Sequence, residues 1–241
     1  MLVVDDTVGS FCNVDVLPYS DVLLSSLTKS FSGYANVMGG SNVLNPLSPH
    51  YPALKALFKA HYHNEYFVGD ADTLLGNSDD YLERSKTLNS NALAMANFLQ
   101  KHVEDPASPA TKVLYPSLLP DAEIYRSFMR RPTADFPSPG YGCLMSVDFE
   151  SLPTAIAFYD KQAFVAGPHL GAHRTLALAF NALAYCKKPE ERAYHRSHGL
   201  LEESVRLSAG LEAEEDLIDT LKAALDVAAE DKANPAGEAA A

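Results

Sequence analysis

Short apolar runs that end on polar side chains set the rhythm of the first part of the chain. Leu2-Val3-Val4 gives way to Asp5-Asp6-Thr7, and Val22-Leu23-Leu24 gives way to Ser25-Ser26. The pattern predicts short, buried strands of a parallel sheet whose carboxyl ends carry the polar groups. A third strand is expected at residues 43–45 and a turn between Pro46 and Pro49, followed by a helix over 51–61 from the spacing of Leu54, Leu57 and Phe58. After Asp79 and Asp80 the period lengthens. Tyr81, Leu88, Ala92, Met95 and Leu99 form one stripe of a long helix that starts acidic and ends at Lys101-His102, in the sense the helix dipole favours.

The second part mixes periods. Strands are expected at 113–115, 143–149 and 204–211, helices at 152–159 and from Glu214 through Leu217, Ile218, Leu221 and Leu225. A Pro/Gly-rich loop spans 130–142, and the tail from Glu230 is expected to fray. The chain therefore reads as an α/β region over 1–77, a connecting helix over 78–103, an α+β region over 104–230 and a disordered tail over 231–241.

Composition narrows the function classes. The chain has 241 residues, 47% of them hydrophobic, which suffices for a substantial core. A net charge of −12, with 19 scattered Lys and Arg, argues against a nucleic-acid surface. No run is long enough to span a membrane and MLVVDD does not read as a secretion signal, so the cytoplasm is expected. Cys12, Cys143 and Cys186 lie far apart and read as buried thiols in a reducing compartment. His61 with His63, and the pairs His169/His173 and His195/His198 at helical steps, lack carboxylate or cysteine partners at ligand spacing, so no metal site is expected.

Candidate chemistry concentrates at residues 25–45, SSLTKSFSGYANVMGGSNVLN. Lys29 sits between the hydroxyls of Ser26 and Thr28 and a run of glycines and serines. That set suits an aldehyde cofactor bearing a phosphate: an amine to condense with it, hydroxyls and backbone N–H groups for the phosphate. A lysine in a Gly/Ser-rich loop is also common without such chemistry. Asp5, at a strand end, is placed where ligands of α/β sheets gather, or is a turn aspartate. Arg206 projects from one face of its strand, suited to bidentate carboxylate binding or to a surface ion pair.

VVDDT, SSLTKSFSG, VMGGS, GPHLGAH and VRLSAGLEAEEDLID occur in an order that resembles the Cys/Met-metabolism group of pyridoxal-phosphate enzymes, most closely its fungal cystathionine γ-synthase-like members. The resemblance implies the C-terminal part of a type I aminotransferase-like large domain followed by a small α+β domain. It implies that Lys29 holds pyridoxal phosphate and carries protons, that Asp5 pairs with the pyridine nitrogen, that Ser26 and Thr28 bind the phosphate, and that Arg206 clamps the substrate α-carboxylate. The implied reaction is γ-replacement on an acyl-homoserine by cysteine to give cystathionine, in methionine biosynthesis. Cystathionine lyase, acyl-homoserine sulfhydrylase, or a non-catalytic interaction subunit are the alternatives. The ring-stacking aromatic residue, the glycine-rich phosphate loop and a Tyr/Arg pair of such enzymes are expected upstream of Met1. The partner is then a further copy or a full-length relative.

Overall fold

The computed structural model describes residues 1–185 and 188–233. In chain order the elements are β1 (Val3–Asp5), β2 (Val22–Ser26), β3 (Gly40–Leu44), α1 (Tyr51–His61), α2 (Val68–Ser78), α3 (Tyr81–Val103), β4 (Ala110–Leu114), α4 (Ala122–Phe128), β5 (Leu144–Phe149), α5 (Leu152–Lys161), β6 (Val165–Ala166), β7 (Leu176–Leu178), α6 (Phe180–Ala184), α7 (Pro189–Ser197), β8 (Ser204–Ser208) and α8 (Glu214–Ala233). They form an α/β structure with two sheets, one of three strands in the order β1-β2-β3 and one of five in the order β4-β5-β8-β7-β6.

In the first sheet β1 runs parallel to β2, pairing Asp5 with Leu24, so both carboxyl ends reach the same edge. β3 pairs antiparallel with β2 from Val22↔Leu44 to Ser26↔Gly40. The glycine-rich stretch is therefore partly strand: Gly40 and Ser41, read from sequence as loop, stand opposite Ser26 and Ser25 in the ladder, and Asn45 falls outside. The first strand is also less buried than its composition suggests, because β1 lies at the sheet edge with Leu2 and Val3 open to solvent. α1 forms as expected but buries none of its side chains.

The second sheet carries the main core. Met145, Val147, Val205 and Leu207 project from one face of β5 and β8 and meet Ala92, Met95, Ala96 and Leu99 of α3, Phe158 of α5 and Leu217, Leu221 and Leu225 of α8. Strand alternation leaves Ser146, Arg206 and Ser208 on the other face. α5 starts at a capping box in which Thr154 N–H donates to Ser151 Oγ and Ser151 N–H to Thr154 Oγ1, each at 3.3 Å.

Several expectations are corrected. β8 ends at Ser208 rather than Leu211 because Ala209 and Gly210 turn to pair with Cys143 O and Thr175 Oγ1. α2 escapes detection because VGDADTLLGNS is rich in poor helix formers and only Leu74 is buried. α8 continues through Ala233, held where Lys232 Nζ donates to Pro106 O at 3.1 Å and Ser108 O at 3.0 Å. His169 and His173 share no helix face: their segment is irregular, its amides donating to Ser208 Oγ and Gly33 O. Cys12 and Cys143 are buried and free, as expected, while Cys186 lies outside the described residues. Among the described residues no helix is long and apolar enough to cross a membrane, and no group of His, Cys, Asp or Glu could hold a metal ion.

Candidate functional site

The shared edge of β1 and β2 places Asp5 beside Ser26 through one intermediate. Thr7 donates from N and Oγ1 to Asp5 Oδ1, at 3.0 and 2.5 Å, and its hydroxyl accepts the Ser26 amide at 2.8 Å. Asp5 is thus oriented through one oxygen, and Oδ2 has no hydrogen-bond partner among the described residues. Immediately after β2 the chain folds tightly on itself, Lys29 N–H donating to Ser26 O at 3.2 Å and Gly33 N–H to Lys29 O at 2.8 Å. Lys29 Nζ and Ser26 Oγ make no hydrogen bond among the described residues. Thr28 differs: its hydroxyl accepts Gly39 N–H at 3.0 Å and is directed at Gly39 O at 3.3 Å, closing the loop onto the start of β3.

This lysine loop is clamped from α3. Arg84, only 4% exposed, donates to Ser30 O and Phe31 O at 2.8 Å each, to Asn77 O at 2.7 Å and to Asp80 Oδ1 at 2.6 Å. Gly33 has φ +75° and a Cβ there would overlap the guanidinium, so both the backbone region and the close approach require glycine. Desolvation opposes ionisation of Asp80, but the bonds from Arg84 and Tyr34 hold its carboxyl below the usual range.

The third wall comes from the second sheet. Arg206 leaves the outer face of β8, donates from Nη2 to Pro168 O at 2.7 Å, and lies with Cζ 4.5 Å from the centre of the Phe180 ring. Burial lowers its pKa from the ordinary guanidinium value. The next residue, His169, bonds through Nε2 to Thr28 O at 3.1 Å. Gly171 then lies so close to the lysine loop that a Cβ would stand 2.7 Å from Ser30 N and Cα. A continuous path of contacts therefore runs from Asp5 through Ser26 and the Lys29 loop to the Arg206 strand.

The residues fit the cofactor class the resemblance implies. A free amine, a free hydroxyl and a half-committed carboxylate at one sheet edge are the donors and acceptors that an aldehyde, a phosphate and a ring nitrogen require. Thr28 fits less directly, since its one proton points at Gly39 O. Sequence reasoning missed Arg84, Thr7 and the buried pair Asn13/Asn89. Asn89 Nδ2 donates to Asn13 Oδ1 at 2.7 Å while Gly142 N–H donates to Asn89 Oδ1 at 3.0 Å, fixing the long loop behind the site. Asp6, also unassigned, is buried beside Asp5, and desolvation raises its pKa to about 7 against a smaller opposing effect of Arg130. Arg84 was detectable as a charge on the apolar stripe between Tyr81 and Leu88.

Comparison with known proteins gives the same picture over nearly the whole chain. Residues 1–226 match the model of the Cys/Met metabolism PLP-dependent enzymes. The cystathionine gamma-synthase-like protein ankD of Aspergillus thermomutatus is 41% identical over 225 residues, covering 93% of this chain and 38% of the relative. The cystathionine gamma-synthase-like enzyme iboG2 of Amanita muscaria is 42% identical over 241 residues, covering 96% and 38%. Among solved structures, cystathionine gamma synthase from Xanthomonas oryzae in complex with aminoacrylate and cysteine superposes with a TM-score of 0.75 at 26% identity, covering 94% of this chain and 55% of that one. The chain thus spans about two fifths of the length of these curated relatives and about half of the solved enzyme. On these matches the chain belongs to the pyridoxal-phosphate-dependent enzymes of cysteine and methionine metabolism.

Proposed function

We infer that this chain supplies the lysine and carboxylate-binding half of a transsulfuration site. The reaction is γ-replacement: the acyloxy group leaves the γ-carbon of an acyl-homoserine and the cysteine thiol adds there, giving cystathionine and the free carboxylic acid. Bound pyridoxal phosphate supplies an electron sink for the carbon next to the substrate nitrogen. The chain's own residues do the rest. Lys29 holds the aldehyde and moves protons between substrate carbons, Asp5 keeps the ring nitrogen protonated, and Ser26 with Thr28 binds the phosphate. Arg206 orients the α-carboxylate, which lowers the entropic part of the barrier.

The observation that carries this reading is the contact path joining Asp5, the backbone of the Lys29 loop and Arg206 across two sheets, with the Lys29 amine left without a hydrogen-bond partner among the described residues. In the same proposal, 1–77 belongs to the cofactor unit, 104–230 forms the C-terminal unit and 78–103 joins them. The protein works in the cytoplasm in methionine biosynthesis, as a homo-oligomer or with a full-length relative.

Addition of pyridoxal phosphate, borohydride reduction and peptide mass analysis is the test. A reduced adduct on Lys29, lost in Lys29→Ala, is expected; unmodified Lys29 in the native chain, alone and mixed with a full-length relative, overturns the reading. Product analysis with acyl-homoserine plus cysteine, with sulfide and with cystathionine then separates synthase from sulfhydrylase and lyase.

A further inference from the structure

Two unmatched polar groups lie against the same turn of the lysine loop. Lys29 Nζ carries donors with no acceptor among the described residues. His169 Nδ1 is buried with no hydrogen-bond partner, an arrangement native structures rarely leave without a purpose. The tautomer follows from the partner of the other ring nitrogen: Thr28 O only accepts, so Nε2 carries the proton in the 3.1 Å bond, and the neutral ring presents a lone pair at Nδ1. The ring cannot easily swing away. Pro168 O is held by Arg206, Gly171 N–H donates to Ser208 Oγ at 3.0 Å, and Gly171 abuts Ser30.

We propose that His169 is a positioning residue for Lys29, its Nδ1 lone pair accepting a hydrogen bond from the Lys29 ε-amino group and holding that amine toward the Asp5–Ser26 edge. The inference rests on the reading of Lys29 as the amine that condenses with the cofactor aldehyde. Burial, and then the Lys29 charge, keep the imidazole below its ordinary pKa despite the carbonyls of Thr28 and Leu170. The ring therefore acts as a neutral acceptor rather than as the base that takes the lysine proton. Because Pro168 is bonded to Arg206, the same short segment couples the placement of the amine to that of the carboxylate-binding arginine.

Two measurements test it, and the first needs no cofactor. Long-range proton–nitrogen NMR on the native chain should find the His169 imidazole titrating below the ordinary histidine value, and Lys29→Ala should raise that midpoint back toward it. An unchanged midpoint overturns the contact. The second compares isosteres. His169→Asn keeps a side-chain acceptor near the Nδ1 position and loses the bond to Thr28 O, whereas His169→Gln keeps a donor near Nε2 and loses the acceptor. With pyridoxal phosphate and borohydride, the reduced Lys29 adduct should form at the native rate within about twofold in the Asn variant and about tenfold more slowly in the Gln variant. Equal rates in the two variants, or the reverse order, overturn the proposal. Failure of the native chain to form any adduct counts against the proposed function, and the titration still decides the His169 contact.

Discussion

The inner face of the five-stranded sheet is closed to solvent, with Val147, Leu207, Phe158 and Leu221 all at 0% exposure, whereas α1 beside the three-stranded sheet buries nothing. The two regions are held by different means. The larger sheet is packed by apolar contact on α3, α5 and α8. The site region is fixed by hydrogen bonds: Arg84 to three carbonyls and a carboxylate, Thr7 to Asp5 and Ser26, Thr28 to Gly39, Asn13 to Asn89. Apolar packing is non-directional and tolerates adjustment, while polar tethers specify where individual backbone groups sit. A site that must hold an amine, a hydroxyl and a carboxylate in register gains from the second kind, and it borrows rigidity from α3, which also packs in the larger core.

The sharpest way to break the comparison is to damage each region by its own mechanism. Phe158→Ala removes a fully buried ring from the larger core and should cost about 3–5 kcal/mol, read as a fall in the denaturation midpoint. Arg84→Met should cost less, about 3 kcal/mol, because several buried acceptors lose their donor at once. Its signature is regional: amide exchange should accelerate at Gly33 and its neighbours, with the β5 and β8 amides unchanged. Uniform acceleration in both sheets would show that the tether is not local.

Much of this architecture was legible in the residues. The Tyr81–Leu99 stripe formed where expected, and so did the apolar strands ending at Asp5 and Ser26 and the alternation around Arg206, although β1 is open to solvent at the sheet edge and β8 stops at Ser208. What escaped had other causes. α2 has weak propensity and depends on tertiary contact. β3 begins at glycine and serine because the backbone of β2 needs partners, which composition does not reveal. Arg84 and His169 act through backbone carbonyls distant in sequence, Ser30 and Thr28, and a side chain that recognises a main-chain oxygen leaves no reciprocal residue type to find.

A pH dependence sharpens the polar side of the comparison. Asp6 titrates near 7 in the fold and at 3.8 when unperturbed, because burial disfavours its charged form. A raised folded-state value means its favourable contribution is complete below the unfolded pKa and is lost as pH rises through about 7. Stability should therefore fall between about pH 4 and 7 by the Asp6 contribution. Asp6→Asn should remove that slope, melting about 3 °C or more above the native chain at about pH 8 and close to it at about pH 4. Parallel melting curves across this range would show that Asp6 is charged throughout.

The smallest effect is expected where the site region is apolar on its outside. Leu57 lies on α1 at 55% exposure, close in sequence to Phe58, and touches no buried cluster of the described residues. Leu57→Ser should change stability by no more than about 0.5 kcal/mol, as for surface substitutions generally. The same Leu→Ser change at Leu221 should cost several-fold more, since it leaves a cavity and buries a hydroxyl without a partner. The contrast between two leucines isolates environment from residue type. If Leu57→Ser instead destabilised the protein by about 2 kcal/mol, and did so more strongly at higher protein concentration, the face of α1 would be covered in solution by another copy of the chain. The site region would then have a packed side after all, built between molecules.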